Sequence, residues 1–495
     1  MHAGLRAFFS WCCEPVKQLV QGCYEVFPFV RPKWAARKAE SLYCGTLPAM
    51  LVIGRIAMLR VIYPNCAGLD VHKKFVVACR VTGDGQGNLH RELRTFSTMT
   101  ADLEALADWL TQGGVTHVAM ESTGVYWQPI YNILEGRFEV FVVNAQSIKR
   151  MPGRKTDMKD AEWIATLMQH GLLQPSFIPP REQRELRDLA RYRQHLVEER
   201  NRFFNRLQRV LEDANIKLAS VATDLQGVSA QAILRSLLEG ETDPQVLANM
   251  ARGRMRQKRG ELQQALIGTL TPHHRFMLQE LLEEIDFLNR QIARIEARIE
   301  EQLAQMPDFQ KAVMLLDTIP GVDRQLAILI VAEIGVDMSR FPSDRHITAW
   351  AGVAPGNNET GGKQRSGRAR KGNRYLKRAL ALAAHGAARS KKTYLRSLYY
   401  RLAARLGKAR ATVAVGRTIL QAAYHMLERG EEYRELGADY LDQRNREYTA
   451  RRLVKRLQAL GFEVDIRERM VESEPAKDNI AFAPHSPITT RIAAR

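Results

Sequence analysis

An α/β domain followed by a long all-α region is what the sequence predicts, and three observations carry that reading. Short apolar runs alternate with helix-spaced segments between Cys66 and Gly171. Apolar residues then recur at heptad spacing from Leu278 to Met306, and a long basic stretch without acids comes after them. Strands alternating with helices indicate a mixed, mostly parallel sheet covered by helices. A sustained step of three and four residues indicates packed helices.

The first 57 residues stand apart. They hold four of the six cysteines (Cys12, Cys13, Cys23 and Cys44), together with Pro15, Pro28, Pro32 and Pro48, and no sustained periodicity. Residues 1–57 read as an atypical leader: either translation starts at Met58 or Met50, or the leader is an accessory segment. Residues 58–178 form the α/β domain. CAGLDV and KFVVACRV read as two strands joined by a tight turn around His72-Lys73, residues 116–122 as a third strand and 138–144 as a fourth. Apolar residues at helical spacing fill 103–110 and 125–134 between them.

Residues 179–307 are helical. In the stretch 181–217, Leu186, Leu189, Leu196, Phe203, Leu207 and Leu211 are the expected buried positions. Leu278, Leu281, Ile285, Leu288, Ile292, Ile295, Ile299, Gln302 and Met306 form a coiled-coil seam that ends at Pro307. Such a seam serves a helical hairpin within the chain, a coil between subunits, or both. Residues 308–435 form a basic helical domain. Its segment 315–335 reads as helix, Pro-Gly hairpin, helix, a helix-hairpin-helix-like element whose backbone amides can meet phosphates or whose turn joins core helices. Residues 436–495 are a polar tail, disordered from about Glu472.

Charge narrows the partner. Lys and Arg number 73 against 54 acids, a net of +19 with a pI near 9.8. Between Gly361 and Leu427 there are 17 Lys or Arg residues and no Asp or Glu. A solvated helix face mixes both signs, so an acid-free stretch of this length points to a polyanion. Lys363, Arg365, Arg368, Arg370, Lys371 and Arg374 are its densest part. The cysteines lack C-x-x-C spacing, which argues against a zinc site or a disulfide scaffold. No apolar run reaches the roughly 18 residues of a membrane span. The N-terminus lacks the three parts of a secretory signal, so a cytoplasmic location is expected.

Four acids stand where metal chemistry needs them. Asp70 lies inside the apolar strand GLDV, where a carboxylate is costly unless a cation or donor meets it. Glu121 ends the third strand. Asp157 and Asp160 are three apart, so in a helix both face one side of its first turn. Strand ends and helix N-termini converge on one edge of an α/β sheet. Four carboxylates there can hold two Mg²⁺ ions, which activate an attacking oxygen and steady a leaving one. Singly, these acids also suit a turn, a strand end, and a helix first turn behind a Thr156 cap. Strand Asp, strand Glu and D-x-x-D in that order resemble the RNase H-like fold.

GLDVHKK (68–74), MESTGVYW (120–127) and GRKTDMKDAEWIATL (153–167) resemble the signature blocks of insertion-sequence transposases with an N-terminal RuvC-like DEDD domain, a group that includes the Piv-type DNA invertases. IPGV (319–322) and residues 350–380 resemble that family's C-terminal domain. The resemblance implies that Asp70, Glu121, Asp157 and Asp160 bind metal. It also implies that a C-terminal hydroxyl attacks DNA and holds it covalently, and that a noncoding bridge RNA guides the protein. The family's nucleophile is a serine; the matching position in NNETGGK is Thr360, and the nearest serine is Ser366. The reading is a DNA recombinase acting as a homo-oligomer, because two DNAs must be cut together. Its rivals are a RuvC-like junction nuclease and an inactive nucleic-acid-binding relic.

Overall fold

The computed structural model describes residues 60–83, 88–122, 124–149, 151, 160–356 and 358–465. The 1–57 leader, Asp157 and residues 466–495 lie outside them. The chain divides into two compact units, 1–178 and 179–495.

Five strands build the sheet of the first unit: β1 (Cys66–Val71), β2 (Phe75–Gly83), β3 (Leu89–Ser97), β4 (His117–Glu121) and β5 (Glu139–Val143). Their order is β3-β2-β1-β4-β5. β2 is antiparallel to both neighbours, whereas β1, β4 and β5 are parallel. This order with these directions is the RNase H-like arrangement. The sheet is therefore evenly mixed rather than mostly parallel, because β3 adds a second antiparallel pair. β3 (LHRELRTFS) escaped the apolar pattern for a physical reason: it is an edge strand carrying His90, Arg91, Glu92 and Arg94. Charges on an edge discourage pairing with another chain.

The two sheet faces carry separate cores. On one side Ala67, Leu69 and Val71 meet Leu103, Leu106 and Leu110 of α1 (Thr100–Gln112) and Ile130 and Leu134 of α2 (Trp127–Leu134). On the other, Cys66, Cys79, Ala119 and Val143 meet Ala161, Ile164, Ala165 and Met168 of α3 (Asp160–Gln169). Burial pushes the Cys66 thiol up to about 12 and the Cys79 thiol to about 11. Both stay protonated core side chains rather than nucleophiles.

The second unit is organised by two long helices, α4 (Arg181–Asp213) and α5 (Pro272–Ala304). The Gln302 side chain donates to the Glu182 carbonyl, Arg193 bonds Glu296, Arg200 bonds Asn289, and His274 meets Asp213. Partners whose numbers rise in α4 as they fall in α5 define an antiparallel hairpin. Of the predicted seam, Leu278, Leu281, Ile285, Leu288, Ile292, Ile299 and Gln302 are buried. The chain itself thus covers the seam, which is the hairpin alternative. In α4, Phe204 takes the buried position expected of Phe203, which is only partly covered. Residues 214–271 form a small helical lobe whose core includes Ile233, Leu234, Leu247 and Leu262, packed on the adjoining ends of both long helices.

α6 (Pro307–Asp317) and α7 (Arg324–Ile334) flank the Pro-Gly turn, as expected. Gly321 has φ +91°, and a Cβ there would fall 2.1 Å from the Ala387 nitrogen of α8 (Arg374–Arg389). This turn glycine therefore serves the packing of core helices. α9 (Tyr394–Leu406) and α10 (Lys408–Arg429) complete the layer. The polar tail is helical over Tyr440–Gln443 and Arg446–Ala459. Among the described residues no helix is long and apolar enough to cross a membrane.

Candidate active site

β1 and β4 are parallel, with Leu69 opposite Met120 as their last registered pair. Asp70 and Glu121 are the next residue of each strand, so they stand side by side at the carboxyl ends of neighbouring strands. Side chains alternate along a strand, which puts Asp70 on the face of Cys66 and Gly68, and Glu121 on the face of Ala119. That is the face α3 covers. The helix runs against the direction of β1: the Ile62 N–H donates to the Gln169 carbonyl, the Cys66 thiol lies 3.8 Å from the Ala165 carbonyl, and Gly68 faces Ala161 and Ala165. Its first residue, Asp160, therefore lies toward the edge occupied by Asp70 and Glu121.

Gly68 makes this approach possible. A Cβ there would sit 2.3 Å from the Ala165 nitrogen and 2.4 Å from the Ala161 oxygen, so no other residue lets α3 lie this close to β1. Asp70 is half-buried, its side chain 25% exposed, and its Oδ2 lies 3.1 Å from His72 Nε2. The His72 ring leans on Phe75, with centroids 4.5 Å apart. His72 thus orients the carboxylate from outside the acid cluster, a role sequence reading missed although the two residues are only two apart in GLDVH. Asp157 lies outside the described residues, as does the expectation that it shares a helical face with Asp160. Among the described residues no three His, Cys, Asp or Glu side chains already stand as a metal-holding group. Asp70, Glu121 and Asp160 are all carboxylates, the donor type that suits a hard divalent cation.

The second predicted element lies in the other unit. β6 (Asn358–Thr360) and β7 (Lys363–Ser366) form a two-stranded hairpin with Thr360 opposite Lys363. Gly361 and Gly362 have φ +59° and +74°, the pair of left-handed residues a two-residue hairpin of the I′ type demands. Among the described residues nothing lies within 4 Å of where either Cβ would be, so the tip is open to them. Thr360 ends β6 beside this tip, whereas Ser366 ends β7 at the hairpin base opposite Asn358. Arg365 lies in β7, and Lys363, Arg368, Arg370, Lys371 and Arg374 are exposed.

The basic run is anchored at both ends. The Gly356 N–H donates to the Gly367 carbonyl at 3.2 Å, and Gly352 and Gly372 approach too closely for any side chain. Asn373 then accepts hydrogen bonds from the Tyr375 and Leu376 amides to cap α8, while its Nδ2 donates to Glu333. Glu333 has no exposed side-chain surface; Arg191 binds it through both carboxylate oxygens at 2.6 and 2.8 Å. Arg187 donates to the Ala332 and Glu333 carbonyls. The sequence signal for this anchor was a lone acid in the apolar run ILIVAEIG.

A five-stranded sheet of this order, with acids near the ends of β1 and β4 and at the start of the helix crossing them, defines an RNase H-like domain. A family model described as "Transposase", that of the IS110-type DEDD domain, matches residues 67–216, and one described as "Transposase IS116/IS110/IS902 family" matches residues 313–401. These two matches, with the transposase relatives, support an IS110-type DEDD transposase acting on DNA. It is 27% identical over 274 residues to a probable family 20 transposase of Pseudomonas aeruginosa, covering 54% of this chain and 70% of that protein. It is 26% identical over 300 residues to the transposase for insertion sequence element IS1111A of Coxiella burnetii, covering 59% and 72%. A solved Thermus thermophilus RuvC structure aligns over 23% of this chain and 99% of its own, at 15% identity and a TM-score of 0.18. A DEDD transposase of this kind implies divalent-metal dependence.

Proposed function

We propose that the protein cleaves and rejoins DNA strands through Asp70, Glu121, Asp157 and Asp160 as a metal-holding tetrad and Thr360 as the nucleophile. The observation that supports this most is the side-by-side placement of Asp70 and Glu121 at the strand ends toward which α3 brings Asp160. All four donors are carboxylates, the ligands Mg²⁺ prefers. Bound there, Mg²⁺ supplies electrostatic stabilisation of the charge that develops on phosphate oxygens. His72 holds the Asp70 carboxylate in place.

The covalent step belongs to the hairpin. The Thr360 oxygen bonds to a backbone phosphorus as the bond from that phosphorus to a deoxyribose oxygen breaks. The hydroxyl proton leaves, and the departing oxygen takes up a proton. Rejoining reverses this when a DNA hydroxyl displaces Thr360. The open tip leaves room for a phosphate, and Lys363, across from Thr360, supplies positive charge. The exposed cations from Lys363 to Arg374 hold the DNA backbone. A noncoding bridge RNA supplies base pairing, which RNA co-purified with the protein and sequenced checks. The protein acts as a homo-oligomer on two DNAs. The regions 58–178, 179–307 and 308–435 are the catalytic, helical and nucleophile-bearing parts.

Quenched strand-transfer reactions with Mg²⁺ test these assignments together. Asp70→Ala is expected to abolish cleavage with DNA binding retained. Thr360→Ala should abolish covalent capture, Thr360→Ser should keep it, and Ser366→Ala should cost little. A phosphoester mapped to Ser366 moves the chemistry to the other hydroxyl. Cleavage without any adduct makes water the nucleophile, as in a junction nuclease.

A further inference from the structure

We infer a second phosphate-binding surface, at residues 252–259 in the helical lobe, that docks the backbone of a nucleic-acid duplex. The segment lies between the two family matches, which end at 216 and resume at 313. Arg252, Arg254, Arg256, Lys258 and Arg259 place five cations in eight residues, and no acid occurs from Gln245 to Gly260. All five are exposed, and none forms an ion pair among the described residues. Several other arginines of this unit are matched to acids, as Arg193 is with Glu296, Arg235 with Asp286 and Arg324 with Glu300.

The run is a built feature rather than a loose loop. Gly253–Lys258 is a 3₁₀ helix. The Arg252 N–H donates to Ser229 Oγ at 2.9 Å, and Ser229 is buried. Ala251 and Leu262 are buried on either side, and Met255 packs on the lobe core. Gly253 takes a left-handed turn, φ +55°, with open space where a side chain would be. Five like charges held at fixed positions repel one another, and nothing in the described chain offsets them.

The geometry selects the partner. At about 2 Å per residue the 3₁₀ segment is roughly 12 Å long. A duplex presents one phosphate charge per ~1.7 Å of axis, so a cationic segment of this length spans several phosphates. Residues 245–260 contain no Phe, Tyr, Trp or His. Without a stacking ring, the surface lacks what grips unpaired bases. It suits a duplex backbone read without regard to sequence, and DNA and RNA duplexes share that chemistry. The inference rests on unpaired charge alone and is independent of the cleavage chemistry proposed above.

Salt-dependent binding of the full chain tests it, with a DNA duplex and an RNA duplex of about 30 base pairs and arbitrary sequence. Changing Arg254, Arg256, Lys258 and Arg259 together to Gln is expected to flatten the log–log salt slope by about two to four units on at least one duplex. The duplex that loses more identifies the source. Arg254→Lys with Arg256→Lys and Arg259→Lys should keep the slope, since charge is retained. Arg254→Gln and Lys258→Gln singly, each expected to cost about one unit, decide the matter if the fourfold variant does not fold. Unchanged slopes on both duplexes overturn the inference and leave a solvated face.

Discussion

At Gly68 the absence of a side chain sets the distance between β1 and α3, and with it the position of Asp160 relative to Asp70. The atoms a Cβ would strike belong to backbone, at 2.3 and 2.4 Å, so no rotamer change relieves the clash. Gly68→Ala is expected to cost about 3 kcal/mol of stability, at the upper end for overpacking a tight core. Strand cleavage should fall with it, because α3 must move off the sheet. Denaturant titration gives the first quantity; a loss below about 1 kcal/mol would mean that helix and strand are not held this closely. Gly68 sat in plain view within GLDVHKK, yet only its packing against Ala161 and Ala165 explains it. The same holds for His72, whose sequence neighbour Asp70 became a bonded partner only through the turn between β1 and β2.

Among the elements, the anchor of the basic run is the most informative. Glu333 on α7 ties Arg191 on α4 to Asn373 at the start of α8, joining three elements through one buried carboxylate. Removing Glu333 leaves the charges of Arg191 and Arg187, whose side chains are 30% and 17% exposed, only partly solvated. Glu333→Ala is expected to cost about 3–5 kcal/mol, and to increase proteolysis at 367–373 as the cap of α8 loosens. Circular dichroism in denaturant with peptide mapping measures both, and wild-type stability with wild-type cleavage resistance would show that the network holds nothing in place. The long hairpin shows how periodicity informs and misleads. The heptad positions of α5 are buried as read, but periodicity reports that a stripe is covered and never by what. Here α4 of the same chain covers it, with Arg193–Glu296 and Gln302–Glu182 fixing the register.

For the whole molecule, charge is the property that couples the chain to its substrate. A net of +19 includes the exposed run 363–374, and the structure leaves Lys363, Arg368, Arg370, Lys371 and Arg374 facing solvent. Arg368→Ala with Arg370→Ala and Lys371→Ala is expected to flatten the salt slope of DNA binding by up to about three units, near one for each phosphate no longer neutralised. Fluorescence anisotropy between about 50 and 200 mM salt reads this directly. A slope equal to wild type would place the run away from DNA.

Sequence alone determined the succession of strands β1, β2, β4 and β5 along the chain, the placement of Asp70 within a strand and Glu121 at a strand end, the two long helices and the acid-free basic stretch. These are properties of composition and spacing, which burial and charge imprint locally on the chain. Tertiary structure decided the rest. The edge strand β3 pairs through its backbone and carries charged side chains, so it has no apolar signature. Gly321 serves α8 rather than solvent because residues 66 positions apart come within van der Waals reach, a fact no local pattern holds. The side-by-side placement of Asp70 and Glu121, with α3 beginning toward them, likewise depends on strand register and on the close approach at Gly68. Register and approach are set by which surfaces pack together, and that choice is made only when the chain folds.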